Sequence, residues 1–118
     1  MRDHKKLRAF ELADQLAILA YRSTADFPRS EQFGLTSQMR RAAVSVPSNI
    51  VEGCARRTEA DYLHFLDIAF GSSRELQYQA SLAMRLGFMP PDQHRKLDDA
   101  CDETSRVLNG LINALRQA

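Results

Sequence analysis

Polar and charged side chains occupy one line of a segment, residues 33–53, that otherwise has the pattern of a buried helix. Arg41, Ser45 and Ser48 follow one another at helical spacing in this line. A charge stays buried in a protein only when it is paired and hydrogen-bonded. We therefore expect a network built around an Arg41–Glu75 or an Arg41–Glu52 pair. Its expected members are Arg41, Ser45, Ser48, Asn49, Glu52 and Glu75.

Three interpretations of this polar network remain open. It can fix the register of the helices or the contacts between subunits, it can line a ligand-binding or catalytic pocket, or it can be an ordinary solvated surface. We favour the first. Pro47 lies in the same segment, and a proline inside a helix removes one backbone hydrogen bond and costs about 3 kcal/mol. We expect serine and asparagine side chains to satisfy the carbonyl of Ala43 that Pro47 frees.

The remaining reactive residue types match no catalytic, cofactor or metal motif. Asp61-x-x-His64 alone resembles the spacing of a di-iron bundle, which needs two Glu-x-x-His motifs and two further glutamates. The sequence has no Cys-x-x-Cys, no His-Glu-x-x-His and no glycine-rich phosphate loop. We therefore predict that the protein is not an enzyme and has no metal and no cofactor.

Clustered basic residues are the candidates for contact with nucleic acid. Residues 1–57 hold ten Lys and Arg against six Asp and Glu, whereas residues 58–118 hold six against nine. Clustered cations can neutralise phosphates. The whole chain has a net charge of only +1, so a solvated surface is the alternative interpretation. The candidates are Lys5, Lys6, Arg8, Arg40, Arg56 and Arg57.

Cysteine usage and hydropathy bear on the compartment. Cys54 and Cys101 fall at apolar helical positions, and we expect buried free thiols in a reducing cytoplasm, with a Cys54–Cys101 disulfide as the alternative. No stretch approaches the ~18 uninterrupted apolar residues of a membrane span. The start, MRDHKKLRAF, lacks the apolar region of a secretory signal. We expect a cytoplasmic protein without membrane contact.

Apolar residues at helical spacing predict an all-α fold of four helices. They are expected over residues 7–24, from 33 to between 53 and 57, over 58–87, and from Pro91 onward. Gly53 is expected to end the second helix or to pack closely, and Gly71 to pack against a neighbouring backbone. The short connections favour a single antiparallel up-down four-helix bundle over residues 1–118. The fourth helix has a heptad seam: Leu97, Cys101, Thr104, Leu108, Leu111 and Leu115.

Apolar residues also lie outside the best stripes of the first and third helices. Helices that are apolar over a wide arc usually bury a second face, which predicts self-association, although the bundle core could absorb part of the excess. The residues concerned are Ile18, Tyr21, Leu63, Phe70, Tyr78 and Leu82.

Three segments carry a resemblance to a known family. They are FGLTSQMRRAAVSVPSNIVEGCARRT (33–58), FLDIAFGSSRELQYQ (65–79) and the Leu86-Gly87 ending. Together with residues 7–13, these segments span nearly the whole chain. They resemble the four-helix-bundle proteins first known from open reading frames inside bacterial 23S ribosomal RNA intervening sequences. The resemblance implies an up-down bundle that assembles as a ring-shaped homo-pentamer, with no established catalytic activity or cofactor.

A related group is the accessory variability proteins of diversity-generating retroelements. They are similar in fold and ring state, and they bind nucleic acid and a reverse transcriptase through basic surfaces. The resemblance thus implies further copies of the chain, RNA or DNA, or a nucleic-acid enzyme as partners. We expect a non-enzymatic, self-assembling scaffold associated with nucleic acid. The alternative is a protein-binding assembly module without nucleic-acid contact.

Overall fold

Four α-helices form the body of the protein, whose computed structural model describes residues 2–117. They are α1 (Arg8–Ser23), α2 (Leu35–Cys54), α3 (Glu59–Arg85) and α4 (Pro91–Gln117), with short 3-10 helices at His4–Lys6 and Arg29–Glu31. Consecutive helices pack side by side, and α4 also packs against α1. The result is an up-down bundle measuring 45 × 23 × 19 Å, which confirms the predicted all-α fold.

Local signals in the sequence set both ends of α3. The Thr58 hydroxyl accepts a hydrogen bond of 3.1 Å from the amide of Asp61, as expected for a capping residue. At the other end Gly87 has a φ of 83°, and the amide of Phe88 donates to the carbonyl of Ala83 at 2.9 Å. This closing turn needs a left-handed residue, which glycine supplies without a steric penalty.

The core is aliphatic and rich in alanine, which lets the helices approach closely. Ala13, Ala43 and Ala80 are completely buried. Around them lie larger side chains, each of which stabilises the fold by about 1.5–3 kcal/mol when it is removed from water. The largest aliphatic ones are Leu16, Met39, Ile50, Leu66, Leu76, Leu97 and Leu108.

The predicted seam of α4 holds over most of its length and then shifts. Leu111 and Leu115 are only half-buried, and Ile112 is buried beside them. A straight helix drifts by about 20° per heptad relative to a strict seven-residue repeat, so the buried face moves by one residue toward the C-terminus. The seam positions buried as predicted are Leu97, Cys101, Thr104 and Leu108.

Two glycines predicted at close approaches differ in their surroundings. A Cβ on Gly53 would lie 3.1 Å from Cβ of Phe65 and 3.3 Å from the carbonyl of Tyr62. This confirms close packing of α2 against α3. Gly71 is exposed, and a Cβ there would meet nothing within 4 Å. The prediction for Gly71 was wrong, because this residue faces outward from α3.

The bundle core absorbs part of the apolar excess that the sequence showed. Leu63, Phe70 and Leu82 pack against the core, whereas Tyr78 remains 61% exposed. The outer apolar surface of α3 is therefore smaller than the sequence suggested. Among the described residues, the large apolar side chains left exposed are Ile18, Tyr21, Phe33, Val44, Val51, Ile68, Tyr78 and Leu86.

Candidate nucleic-acid interface and polar network

A small hydrogen-bonded network joins α2 to α3 through Ser45, Asn49 and Ser72. The two serine hydroxyls lie 2.8 Å apart. Asn49 Nδ2 donates to Ser45 Oγ at 2.8 Å and to the Ser45 carbonyl at 2.7 Å. All three side chains are half-buried. The contact couples two helices over residues that are distant in the sequence, which is the geometry that a register-fixing network requires.

Helix α2 continues through Pro47, which leaves the carbonyl of Ala43 without its backbone donor. The side chains of α2 do not donate to this carbonyl. Asn49 reaches the carbonyl of Ser45, one turn earlier. No side chain among residues 2–117 donates a hydrogen bond to the carbonyl of Ala43. The prediction for Ala43 was therefore wrong, since Asn49 lies too far along the helix to reach it.

The charged residues expected in the network lie outside it. Arg41, Glu52 and Glu75 are exposed, as is Ser48. Arg41 has no ion pair in the part of the chain that the structure describes, and Glu52 pairs with Arg56 one turn along α2. The predicted Arg41-centred pair is thus not formed. Exposed charges are hydrated, so they gain little from pairing.

Arg41 and Glu75 nevertheless border one polar groove between α2 and α3, with a volume of about 440 Å³. Ser45 and Ser72 form part of its wall. The lining residues include no histidine or cysteine, and both serines already bond to each other. The groove therefore lacks the Ser–His or Cys–His pair of a typical activated nucleophile.

Lys5, Lys6 and Arg57 lie at one end of the bundle, which we call the basic end. The amide of Arg2 donates to the carbonyl of Cys54 at 3.0 Å, so the N-terminal segment packs against the α2–α3 connection that contains Arg57. Lys5, Lys6 and Arg57 are exposed, and none has a carboxylate within ion-pair distance among residues 2–117. These cations remain accessible to an external anion.

The other predicted nucleic-acid contacts have partners within the protein. Arg8 lies 3.0 Å from Glu103. Arg56 pairs with Glu52, and its guanidinium carbon lies 4.6 Å from the centroid of the Phe65 ring. Arg8 and Arg56 are therefore partly neutralised in place.

Arg40 is held by the C-terminal end of α1 and has no acidic partner among residues 2–117. Its Nε donates to Thr24 Oγ1 at 2.9 Å, its Nη2 donates to the Tyr21 carbonyl at 3.3 Å, and its guanidinium carbon lies 4.6 Å from the Tyr21 ring centroid. The sequence contained no signal for this arrangement, because Tyr21 on α1 and Thr24 just after it are separated from Arg40 by the connection between α1 and α2.

Both cysteines are buried free thiols, as predicted, and no Cys54–Cys101 disulfide is formed. Burial raises the pKa of the Cys101 thiol to about 12. Burial also raises the pKa of Cys54, and a hydrogen bond with Tyr62 opposes that rise. For Tyr62, burial and then the neighbouring Cys54 raise the pKa to about 12. None of these groups is ionised near neutral pH, so neither thiol is an activated nucleophile.

Two further features of the described residues limit the chemistry. No group of three or more His, Cys, Asp or Glu side chains between residues 2 and 117 is placed to hold a metal ion. Over the same range, no helix has the length and apolar character needed to cross a membrane.

The fold and the site together define a small all-helical bundle protein. It has a basic end and a contact between serine hydroxyls that joins α2 to α3. The family model for the 23S rRNA-intervening sequence protein matches residues 5–110, and the chain belongs to that family. The fold is similar to a crystal structure of a protein with unknown function from the S23 ribosomal protein family of Bacteroides thetaiotaomicron VPI-5482. The TM-score is 0.83 at 20% identity, over 89% of this chain and 95% of that one. A comparison with curated proteins finds no match.

Proposed function

We propose that this protein is a non-enzymatic, cytoplasmic scaffold that self-assembles and binds nucleic acid through its basic end. The observation that carries the proposal is the exposure of Lys5, Lys6 and Arg57 without acidic partners among the described residues. When surface cations without an acidic partner contact phosphates, they release the counterions condensed on the nucleic acid. This release is the main source of sequence-independent affinity.

Self-assembly is supported by the apolar side chains left on the surface. Phe33, in the turn before α2, is 90% exposed, and Tyr78 on α3 is 61% exposed. Large apolar groups left on the surface favour a protein partner. The family resemblance favours five copies in a ring. Repetition of the basic end around such a ring would multiply a weak contact into a useful affinity.

The test combines light scattering with fluorescence anisotropy of a short labelled RNA at several salt concentrations. We expect a particle several times the mass of one chain, and an RNA affinity whose logarithm falls linearly with the logarithm of salt concentration. For a single-stranded RNA, each phosphate contact contributes about −0.7 to the slope of log affinity against log salt concentration. A monomeric protein would contradict self-assembly.

The second candidate is a protein-binding assembly module without nucleic-acid contact. The exposed side chains of Phe33 and Tyr78 favour this candidate as much as the first, because they can be buried against another protein without any contact to RNA. An assembled particle that does not retain RNA even at low salt would establish this candidate and reject the nucleic-acid function.

A further inference from the structure

A second group of cations lies in a groove between the C-terminal part of α1 and the N-terminal half of α2. None of the residues that define the basic end belongs to this groove. Its volume is about 560 Å³, within the range of about 300–1,000 Å³ in which proteins hold small molecules. We call it the α1–α2 groove. Its lining residues are Tyr21, Gln32, Thr36, Ser37, Arg40, Arg41, Val44 and Ser45.

Arg40 is fixed in place on the wall of the groove. Its two hydrogen bonds to Thr24 Oγ1 and the Tyr21 carbonyl use two of the five N–H donors of a guanidinium. Stacking on the Tyr21 ring restricts the group further. The remaining donors are therefore presented in a fixed orientation, and little conformational entropy is lost when they bind an anion.

Positive charge in the α1–α2 groove is not balanced by the residues that line it. Arg40 and Arg41 supply two cations, and no Asp or Glu belongs to the lining. Neither arginine has a carboxylate within 4.0 Å anywhere in residues 2–117. The nearby Glu31 is held by the amide of Leu35, which donates to its Oε1 at 3.0 Å, so Glu31 caps α2.

The groove also contains a hydroxyl that lacks a partner. Thr36 Oγ1 is buried and makes no hydrogen bond among the described residues. A buried polar atom without a partner costs about 1–3 kcal/mol, and a ligand atom that accepts its hydrogen bond recovers that cost. An unpartnered hydroxyl on a lining residue is an observation independent of charge that favours a ligand in the groove.

We propose that the α1–α2 groove binds a phosphate group, held by the guanidinium groups of Arg40 and Arg41 and by the hydroxyl of Thr36. The two guanidiniums and the hydroxyl are hydrogen-bond donors, and the planar guanidinium of arginine forms charge-assisted, often bidentate hydrogen bonds with phosphate oxygens. The phosphate belongs either to a small phosphomonoester or to an RNA backbone. This site is separate from the basic end and does not rest on the proposed function.

The test is an NMR titration of the isotope-labelled full-length chain in its native assembly state, monitoring the amides of Thr36 and Ser37 and the Nε–H of Arg40. Inorganic phosphate, adenosine monophosphate and an oligouridylate without terminal phosphates are added separately, with sodium chloride and sodium acetate at matched ionic strength. We expect saturable shifts with at least one phosphate-bearing probe. Saturation with the first two assigns a monoester site, and saturation with the oligouridylate alone assigns a backbone site.

Three variants make the assignment specific. Arg41→Gln, at an exposed position without internal bonds, should weaken binding of the probe by about tenfold or more, as expected for a charge-assisted contact. Thr36→Val should weaken it by about threefold, and it should raise rather than lower the melting temperature of the unliganded protein, because it removes a buried hydroxyl that has no partner. Arg95→Gln, at an exposed position in α4 that belongs neither to the groove nor to the basic end, is the matched control and should bind as wild type does.

The proposal is overturned if no probe produces a saturable shift, or if chloride or acetate produces the same one. It is also overturned if Arg95→Gln weakens binding as much as Arg41→Gln, since the contact would then be diffuse. Loss of RNA binding at the basic end would leave the phosphate result unaffected, so failure of the proposed function and failure of this site are distinguishable.

Discussion

The hydroxyl of Ser45 in α2 lies 2.8 Å from the hydroxyl of Ser72 in α3. Ser45 also accepts a hydrogen bond from Asn49, so it connects a contact within α2 to a contact between helices. The α2–α3 pair is further defined by Gly53, where the two backbones approach closely. Together these residues specify how α2 sits along α3.

Replacing Ser45 with alanine should destabilise the fold. Ser45→Ala removes the bond to Ser72 and leaves the Asn49 amide with one partner fewer, for a loss of about 1–2 kcal/mol. Urea unfolding at fixed protein concentration measures the change. Ser48→Ala is the control, because Ser48 is exposed and alanine there adds only helix propensity, about 0.5 kcal/mol of stabilisation. Equal stability of the two variants would reject the register role of this network.

The two glycines should respond to alanine in opposite directions. At Gly53 an added Cβ would lie 3.1 Å from Cβ of Phe65, and we expect a net loss of about 1–2 kcal/mol from overpacking. At Gly71 the Cβ meets nothing within 4 Å, so Gly71→Ala should stabilise by about 0.5–1 kcal/mol through reduced backbone entropy. Thermal unfolding of both variants decides the matter. A stabilising Gly53→Ala would contradict the close approach.

Neutralising the basic end should reduce the salt dependence of RNA binding. For each of Lys5→Gln, Lys6→Gln and Arg57→Gln, we expect the slope of log affinity against log salt to fall by about 0.7, the value for one lost contact to a single strand. Anisotropy titrations at several salt concentrations supply the slopes. Arg95→Gln, at the start of α4 and distant from the basic end, should leave the slope unchanged. An equal effect of Arg95→Gln would mean that only net charge matters.

Stability should fall in alkaline solution because of the buried thiol of Cys101. Its pKa is raised from 9.0 to about 12 in the folded protein. Below pH 9 the thiol is protonated in both states and its contribution is fully present. As the pH rises toward 12 only the unfolded state ionises, so unfolding becomes easier by up to about 1.4 kcal/mol per pH unit.

The measurement for Cys101 is chemical unfolding at a series of pH values from about 8 to 11. Cys101→Ala should lower stability at every pH by leaving a small cavity. It should also reduce the fall that begins near pH 9, part of which remains because burial raises the pKa of Cys54 as well. Tyr62, whose pKa is raised from 10.0 to about 12, adds a fall above pH 10 that the variant retains. A wild-type curve that is level up to pH 11 would show that neither group is buried as described.

The sequence by itself determined the helices, most of their ends and the bundle. Periodic apolar residues, Thr58 as a cap, Gly87 as a closing residue and Pro91 as a start all act within a few residues of chain, so the fold was predictable from local signals. The buried seam of α4 was likewise correct as far as Leu108, because heptad spacing reports directly on the face that a helix buries.

Only the tertiary structure decided which polar groups meet. Arg41 and Glu75 were expected to pair, yet both point to solvent, and it is Ser45 and Ser72 that join α2 to α3. The stacking of Arg40 on Tyr21 and the unpartnered hydroxyl of Thr36 depend on the rotation of α2 about its axis and on its distance from α1. A hydrogen bond requires two atoms to lie about 3 Å apart. The periodicity of side chains along one helix does not determine the position of the neighbouring helix to that precision.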